Sequence, residues 1–135
     1  MSGTGGALTS SGMPPGGVLA VAGMFLLTGV AHFAAPAFFD QIMPPWIPNA
    51  RAATLLSGAA EIALGLGVLF PATRSAAGWG LIALLVAVFP ANIYMLWQAH
   101  AANASTGSLV GLWLRLPLQP FLMWWVWRVT QLPRG

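Results

Sequence analysis

Charged residues are scarce in this chain of 135 residues. Only 5% of the residues are charged, 58% are hydrophobic, and the mean hydropathy is +0.79. An ordinary soluble domain carries about a quarter charged residues, which cover its surface. Because this chain has too few charges for that purpose, the sequence predicts a protein of the lipid bilayer.

Cysteine and lysine are also missing. Without cysteine the chain forms no disulfide, no thiolate nucleophile and no cysteine-ligated metal site. The positive charges are all arginines and are spread along the sequence: Arg51, Arg74, Arg115, Arg128 and Arg134. Nucleic-acid binding needs a basic patch or stripe, so we expect no nucleic acid as a partner.

What the chain does contain is four long apolar runs. They predict helices at about 17–33, 52–70, 76–98 and 108–129, within one transmembrane domain of residues 17–130. Nineteen helical residues reach about 28 Å, close to the hydrocarbon thickness of a bilayer. No Lys or Arg precedes the first run, so it lacks the charged region of a signal peptide. The fold class predicted is an all-α, integral membrane four-helix bundle.

Among the segments outside the predicted helices, the two tails and the longest connection have distinct compositions. Residues 1–16 are rich in Gly, Ser, Thr and Pro and predict a flexible N-terminal tail, while residues 131–135 form a short C-terminal tail. Residues 34–51 contain four prolines, which prevent one continuous helix, yet the segment stays apolar and aromatic. We therefore expect a proline-rich loop at the membrane interface between the first two long helices.

The arginines also bear on orientation. Four crossings place both termini on the same side, together with Arg74, Arg128 and Arg134, while Arg51 lies on the other side. Positive residues prefer the cytoplasmic side of a membrane, so the termini are predicted to be cytoplasmic.

Glu61 is an acidic residue near the middle of the second apolar run. A carboxylate at that depth costs about 2.5 to 3.5 kcal/mol on insertion scales unless it is paired, protonated or hydrated. Arg115 is the predicted partner, because a guanidinium can bind a carboxylate through two parallel hydrogen bonds. Such a pair either marks a ligand or proton site, or simply fixes the register of two helices.

Further polar candidates accompany this pair. Gln119 follows Arg115 at a spacing of four, on the same helix face. Pro90 removes a backbone hydrogen bond near Asn92. Either the two residues together bind a polar head group, or Asn92 only links neighbouring helices. His32, beside the proline-rich loop, could relay a proton or donate to a quinone carbonyl. A lone histidine is a poor metal ligand, so no metal site is expected.

Four segments carry a resemblance to a known family. They are HFAAPAFFDQIMPPWIP (32–48), LSGAAEIALGLGVLFPATRSAAGWGL (56–81), FPANIYM (89–95) and RLPLQ (115–119). In this order they resemble the DoxX-like family of small four-helix bacterial membrane proteins, over residues 32 to about 130.

The resemblance implies a four-helix bundle in the bacterial cytoplasmic (inner) membrane. It also implies association with redox proteins, because the family takes its name from a membrane subunit linked to thiosulfate oxidation with quinone as acceptor. The resemblance further implies that the residues at matching positions line a shared polar centre, with His32 at its rim: Glu61, Pro90, Asn92, Arg115 and Gln119.

Three functions remain open at this point. The first is a membrane component of a redox system that binds a quinone-like molecule, as a subunit with a redox partner protein rather than a self-sufficient enzyme. The second is a non-catalytic scaffold or anchor for a partner, and the third is a small permease. Glycine-rich faces on the first two long helices would permit a homo-oligomer, but they serve packing within one bundle equally well.

Overall fold

The structure is a computed structural model that describes residues 15–132. The predicted tails therefore lie outside the described residues, apart from their inner ends. At those inner ends the first helix begins at Gly16 and the last ends at Gln131, so each overlaps the predicted tail by one residue.

Five α-helices form the described part of the chain: α1 (Gly16–Ala34), α2 (Pro36–Asp40), α3 (Ala50–Leu69), α4 (Pro71–Ala101) and α5 (Thr106–Gln131). All except α2 are long and apolar enough to cross a membrane. The described residues contain no strand. The predicted all-α four-helix bundle is confirmed, and the chain is a multi-pass membrane protein.

Two prolines begin helices where the sequence predicted irregular structure. The gap between the second and third predicted helices, residues 71–75, is absent, because α4 already starts at Pro71 and only Phe70 separates it from α3. Within the proline-rich loop, Pro36 starts the short helix α2. A proline at the first helical position loses nothing, because its missing N–H would have had no partner inside the helix. Both prolines therefore act as helix starts.

The single-residue turn between α3 and α4 is held by side chains of α4. The Thr73 hydroxyl donates to the Gly67 carbonyl oxygen at 2.6 Å. The Arg74 guanidinium donates to the carbonyl oxygens of Val68 at 2.8 Å and Leu69 at 3.2 Å. Carbonyls in the last turn of a helix have no partner within it, so these bonds satisfy the C-terminus of α3.

The bundle has a closed end and an end covered by the loop. Helix α3 lies between α1 and α4, α5 packs mainly on α4, and α5 meets α1 more sparingly. An apolar core fills the end where α1 and α4 begin: Val18, Val21, Phe25, Val68, Ala77, Leu81, Leu85 and Val126. At the opposite end, α2 and the rest of the proline-rich segment cover the bundle.

Helices α1 and α3 touch through two glycines. A Cβ atom on Gly58 would lie 2.6 Å from the His32 Cβ and 2.9 Å from the Gly29 carbonyl oxygen. Further along, Gly65 faces Ala22 of α1, so the two helices run antiparallel. Small residues permit this close approach of backbones, as is common between membrane helices. The crossing fixes the register of everything that α1 and α3 carry.

Helix α4 extends beyond α3 at the loop-covered end. Its 31 residues reach about 46 Å, whereas the 20 residues of α3 reach about 30 Å. Since the two helices are level at Phe70, the surplus lies past the start of α3. The proline-rich loop packs beside this extension, with the Trp46 ring edge-on to Tyr94 at 5.8 Å between centroids.

We expect Gly29→Ala to destabilise the bundle, because the new Cβ would lie 2.7 Å from the Ile62 Cγ1 and 2.9 Å from the Gly58 carbonyl oxygen. Forcing a methyl group into such a contact costs about 1 to 3 kcal/mol. The measurement is the midpoint of unfolding by SDS in mixed micelles.

Gly23→Ala in the same helix is the control, because a Cβ there meets nothing within 4 Å. Replacing that glycine should leave the midpoint unchanged or raise it slightly. Equal effects of the two substitutions would contradict the close crossing.

Candidate functional site

The centre of the candidate site is a histidine beside a carboxylate. The Nδ1 atom of His32 on α1 lies 3.2 Å from the Oε2 atom of Glu61 on α3. Side chains on a helix tilt toward its N-terminus, so in an antiparallel pair they tilt toward each other. Gly29 and Gly58 precede the two residues by three positions each and bring their backbones together. The glycine crossing thereby creates the pair.

The predicted pairing of Glu61 with Arg115 was wrong. Arg115 is exposed on α5, where its Nη1 atom contacts the sulfur of Met95 at 3.6 Å. Helix α5 packs on α4 rather than on α3, so the guanidinium and the carboxylate belong to different sides of the bundle. Charge complementarity predicted the pair, but the order of the helices around the bundle keeps the two residues apart.

One hydrogen bond and one ring contact hold the His32 ring in place. Nδ1 lies 2.7 Å from the Thr28 carbonyl oxygen, a distance at which the nitrogen must donate. The ring stacks on Phe39 of α2, with centroids 3.8 Å apart and planes 18° from parallel. No hydrogen bond from the described residues reaches the other ring nitrogen, Nε2. One nitrogen is therefore used by the protein and the other remains open.

The carboxylate of Glu61 is incompletely satisfied. Its Oε2 atom is buried and accepts no hydrogen bond within residues 15–132. A buried polar atom without a partner costs about 1 to 3 kcal/mol, so natural structures keep few of them. Such an atom inside a membrane span makes Glu61 a candidate functional residue. Across the same residues, no group of three His, Asp or Glu could hold a metal ion.

A cavity of about 220 Å³ opens beside this pair. Its walls come from α1, α3, α4 and the proline-rich segment, and they are mostly apolar: Phe39, Ile42, Met43, Pro44, Trp46, Ile47, Ala53, Ser57, Leu84, Ala87, Val88, Pro90 and Ala91. An apolar pocket with a few polar groups is typical of small-molecule sites, which usually span about 300–1,000 Å³. This smaller cavity suits a ring-sized head group rather than a whole lipid.

Asn92 and Gln119 form a separate link between α4 and α5. The Asn92 amide donates to the Gln119 Oε1 atom at 3.1 Å, and the Gln119 amide donates to the Leu85 carbonyl oxygen at 2.9 Å. Leu85 lies in the turn before Pro90, where the proline loosens the backbone ladder. Of the two roles considered for Asn92, the structure thus shows the joining of helices.

The six candidate residues therefore divide into three groups. His32, Glu61 and Pro90 meet at the cavity. Asn92 and Gln119 bond to each other, and Arg115 stands apart. The sequence reasoning missed the aromatic walls, Phe39 and Trp46, although both lie in the segment that carries the family resemblance.

Asp40 was also missed, and it clamps α2 onto α3. Its carboxylate accepts from the Thr54 hydroxyl at 2.6 Å and from the Arg51 Nε at 2.8 Å. The Thr54 hydrogen bond and, after it, Arg51 hold the pKa of Asp40 below its ordinary value of 3.8. Because Phe39 is the neighbouring residue, the clamp also keeps the aromatic ring on His32.

A larger hollow of about 470 Å³ lies at the other end of the bundle, beside Trp124, Trp125 and Arg128. It is a wide surface depression rather than an enclosed cavity. The Arg128 guanidinium already lies over the Trp124 ring, 5.6 Å from its centroid. The cavity at His32 and Glu61 is therefore the stronger candidate.

Fold and site define a multi-pass, all-α membrane protein with a histidine and a carboxylate beside an apolar pocket. The chain belongs to the family described as Domain of unknown function (DUF8561), whose model matches residues 21–130. The match contains both His32 and Glu61 and reaches from α1 almost to the end of α5. No curated protein and no solved structure matches the chain.

The Asp40 clamp should make stability depend on pH. Because folding lowers the pKa of Asp40, its contribution is complete above the unfolded value of 3.8 and is lost as the pH falls through the folded value. We expect the parent to be more stable than Asp40→Asn at pH 5 to 7, with the difference shrinking below about pH 4. Unfolding midpoints of both proteins over this range test this, and a difference independent of pH would contradict it.

The amide link should contribute to stability without touching the pocket. Gln119→Ala removes the partners of the Asn92 amide and the Leu85 carbonyl, which should cost about 0.5 to 2 kcal/mol. Gln98→Ala, at an exposed glutamine of α4, is the matched control and should have almost no effect. Unfolding midpoints in mixed micelles measure both, and equal losses would contradict the assigned role.

Proposed function

We propose that this is a DoxX-like protein of the bacterial inner membrane that binds the head group of a quinone-like molecule beside His32 and Glu61. In this proposal the protein is the membrane component of a redox system and works with a redox partner protein. The observation that carries it is a mostly apolar cavity lined by His32 and Glu61, in which Oε2 of Glu61 and Nε2 of His32 have no hydrogen-bond partner among the described residues.

The chemistry of the pocket suits a ring that bears oxygen atoms. Phe39 and Trp46 offer flat apolar surfaces, on which an aromatic ring packs well. The imidazole and the carboxylate can exchange hydrogen bonds and protons with ring oxygens. A cavity of about 220 Å³ holds such a ring and leaves an apolar tail in the surrounding lipid. The exposed rings of Phe38 and Trp46 would meet that lipid.

The distribution of arginines supports one orientation of the site in the membrane. Arg74 and Arg128 lie at the closed end of the bundle, at the start of α4 and near the end of α5, while Arg51 lies at the loop-covered end. The positive-inside rule then favours a cytoplasmic location of the closed end and both termini. The pocket would open toward the outer half of the membrane.

One observation favours a second candidate, a non-catalytic scaffold. The His32 and Glu61 pair lies directly beside the Gly29 and Gly58 crossing, so it could serve only to fix the register of α1 and α3. In that case the covering loop would be the part that binds a partner protein. The two candidates differ in what happens when Glu61 loses its charge.

The test is a titration of the purified protein with a short-chain benzoquinone, followed by tryptophan fluorescence, together with mass spectrometry of retained lipophilic molecules. Glu61→Gln should weaken binding or change its ligand preference while circular dichroism shows an intact fold. Arg115→Gln is the control, because Arg115 lies outside the pocket, and it should bind as the parent does.

Three results would contradict the proposal. If the parent retains no quinone and binds none, the pocket is not a quinone site. If Arg115→Gln abolishes binding and Glu61→Gln does not, the site is elsewhere. If Glu61→Gln lowers only stability, the scaffold is supported.

A further inference from the structure

The hollow at the closed end of the bundle contains an arginine whose N–H groups the described chain does not use. Arg128 lies exposed in the last turn of α5, and its guanidinium rests on the Trp124 ring, 5.6 Å from the centroid. It makes no hydrogen bond and no ion pair within residues 15–132. Contact with the face of a ring leaves the N–H groups of the guanidinium available to a ligand.

The other described arginines all donate hydrogen bonds within the protein. Arg51 binds the carboxylate of Asp40. Arg74 donates to two carbonyl oxygens of α3, and Arg115 donates to a methionine sulfur of α4. Arg128 is different, because the Trp124 ring positions its charge but does not neutralise it.

The chain offers no acidic side chain to this charge. Its only acids are Asp40 and Glu61. Asp40 lies at the loop-covered end, where it binds α3, and Glu61 lies between α1 and α3 beside His32. The closed end therefore has arginines and no acidic side chain, so the partner that complements it carries negative charge.

The level of the hollow in the membrane limits what that partner is. Arg128 and Trp124 belong to the last turns of α5, a helix long enough to cross a membrane. The end of a spanning helix lies near the lipid head groups, where tryptophan is enriched. At this level the abundant anions are lipid phosphates.

The shape of the hollow also suits a lipid. It lies between α5 and the start of α1, two helices that pack only sparingly on each other. Its volume is about 470 Å³, and apolar side chains such as Trp125, Val129 and Leu132 line it beside the guanidinium. A phospholipid can place its phosphate on the guanidinium and its glycerol and upper chains on the apolar walls.

We propose that this hollow binds an anionic phospholipid, of the phosphatidylglycerol class, with the lipid phosphate on the guanidinium of Arg128. Arginine binds phosphate through paired N–H···O bonds. The indole N–H groups of Trp124 and Trp125 donate to no described residue, so they are further donors at the hollow. Basic pockets between membrane helices are known binding places for acidic lipid head groups. The bound lipid fills the sparse contact between α1 and α5.

The experiment is native mass spectrometry of the full chain. The protein is released from micelles that contain equal amounts of dioleoyl phosphatidylglycerol and dioleoyl phosphatidylcholine, and the retained lipids are counted. The two lipids share their chains and their phosphate and differ in the net charge of the head group. We expect the parent to retain phosphatidylglycerol with a preference of about fivefold or more, the size of one arginine's attraction to an anionic lipid.

Three variants locate the cause of the preference. Arg128→Gln removes the charge and should bring the preference close to parity. Arg128→Lys keeps the charge but loses the paired donors, so it should be intermediate. Arg115→Gln makes the same chemical change on the same helix but outside the hollow, and it should bind as the parent does.

Each outcome supports or overturns the proposal. Equal retention of the two lipids by the parent overturns it. A preference that survives Arg128→Gln, or that Arg115→Gln reduces equally, shows attraction to the overall charge and no site at the hollow. Displacement of the lipid by soluble glycerophosphate shows a site for free phosphate and overturns the assignment to a lipid. If Arg128→Gln does not fold, the parent and Arg128→Lys still decide.

Discussion

The contact on which the site depends is the crossing of α1 and α3 at Gly29 and Gly58. The two backbones approach so closely that neither position has room for a Cβ atom. In lipid, helices gain little from burying apolar surface, so close backbone packing is a main source of their association. Three residues beyond each glycine stand His32 and Glu61, and the crossing sets the distance between them.

A series of successive contacts holds the buried carboxylate of Glu61 and its neighbours in place. The imidazole of His32 faces Glu61, the Thr28 carbonyl fixes the imidazole, and Phe39 stacks on its ring. Asp40 then holds the short helix that carries Phe39. The one acid inside the bundle is thus connected, through aromatic stacking, to the only other acid in the chain, which lies outside the spans. This arrangement places the central pair at the wall of the cavity.

The fold was largely predictable because apolar run lengths reflect the thickness of the bilayer. Four runs gave four long helices, and the boundaries differed mainly where Pro71 and Pro36 start helices rather than interrupt them. The site was predicted less well. Glu61, His32 and Pro90 do line one cavity, but Arg115 was assigned to Glu61 on charge alone, and nothing in the sequence gives the order of helices around a bundle.

By itself the sequence determined the membrane class, the four spans and the presence of a costly acid that needs a partner, since these follow from composition and local hydropathy. Only the tertiary structure decided which partner Glu61 has. That choice depends on which helices are neighbours and on how closely they approach. It made a histidine, held by a backbone carbonyl, the neighbour of the carboxylate, and it placed Arg115, Asn92 and Gln119 away from the cavity.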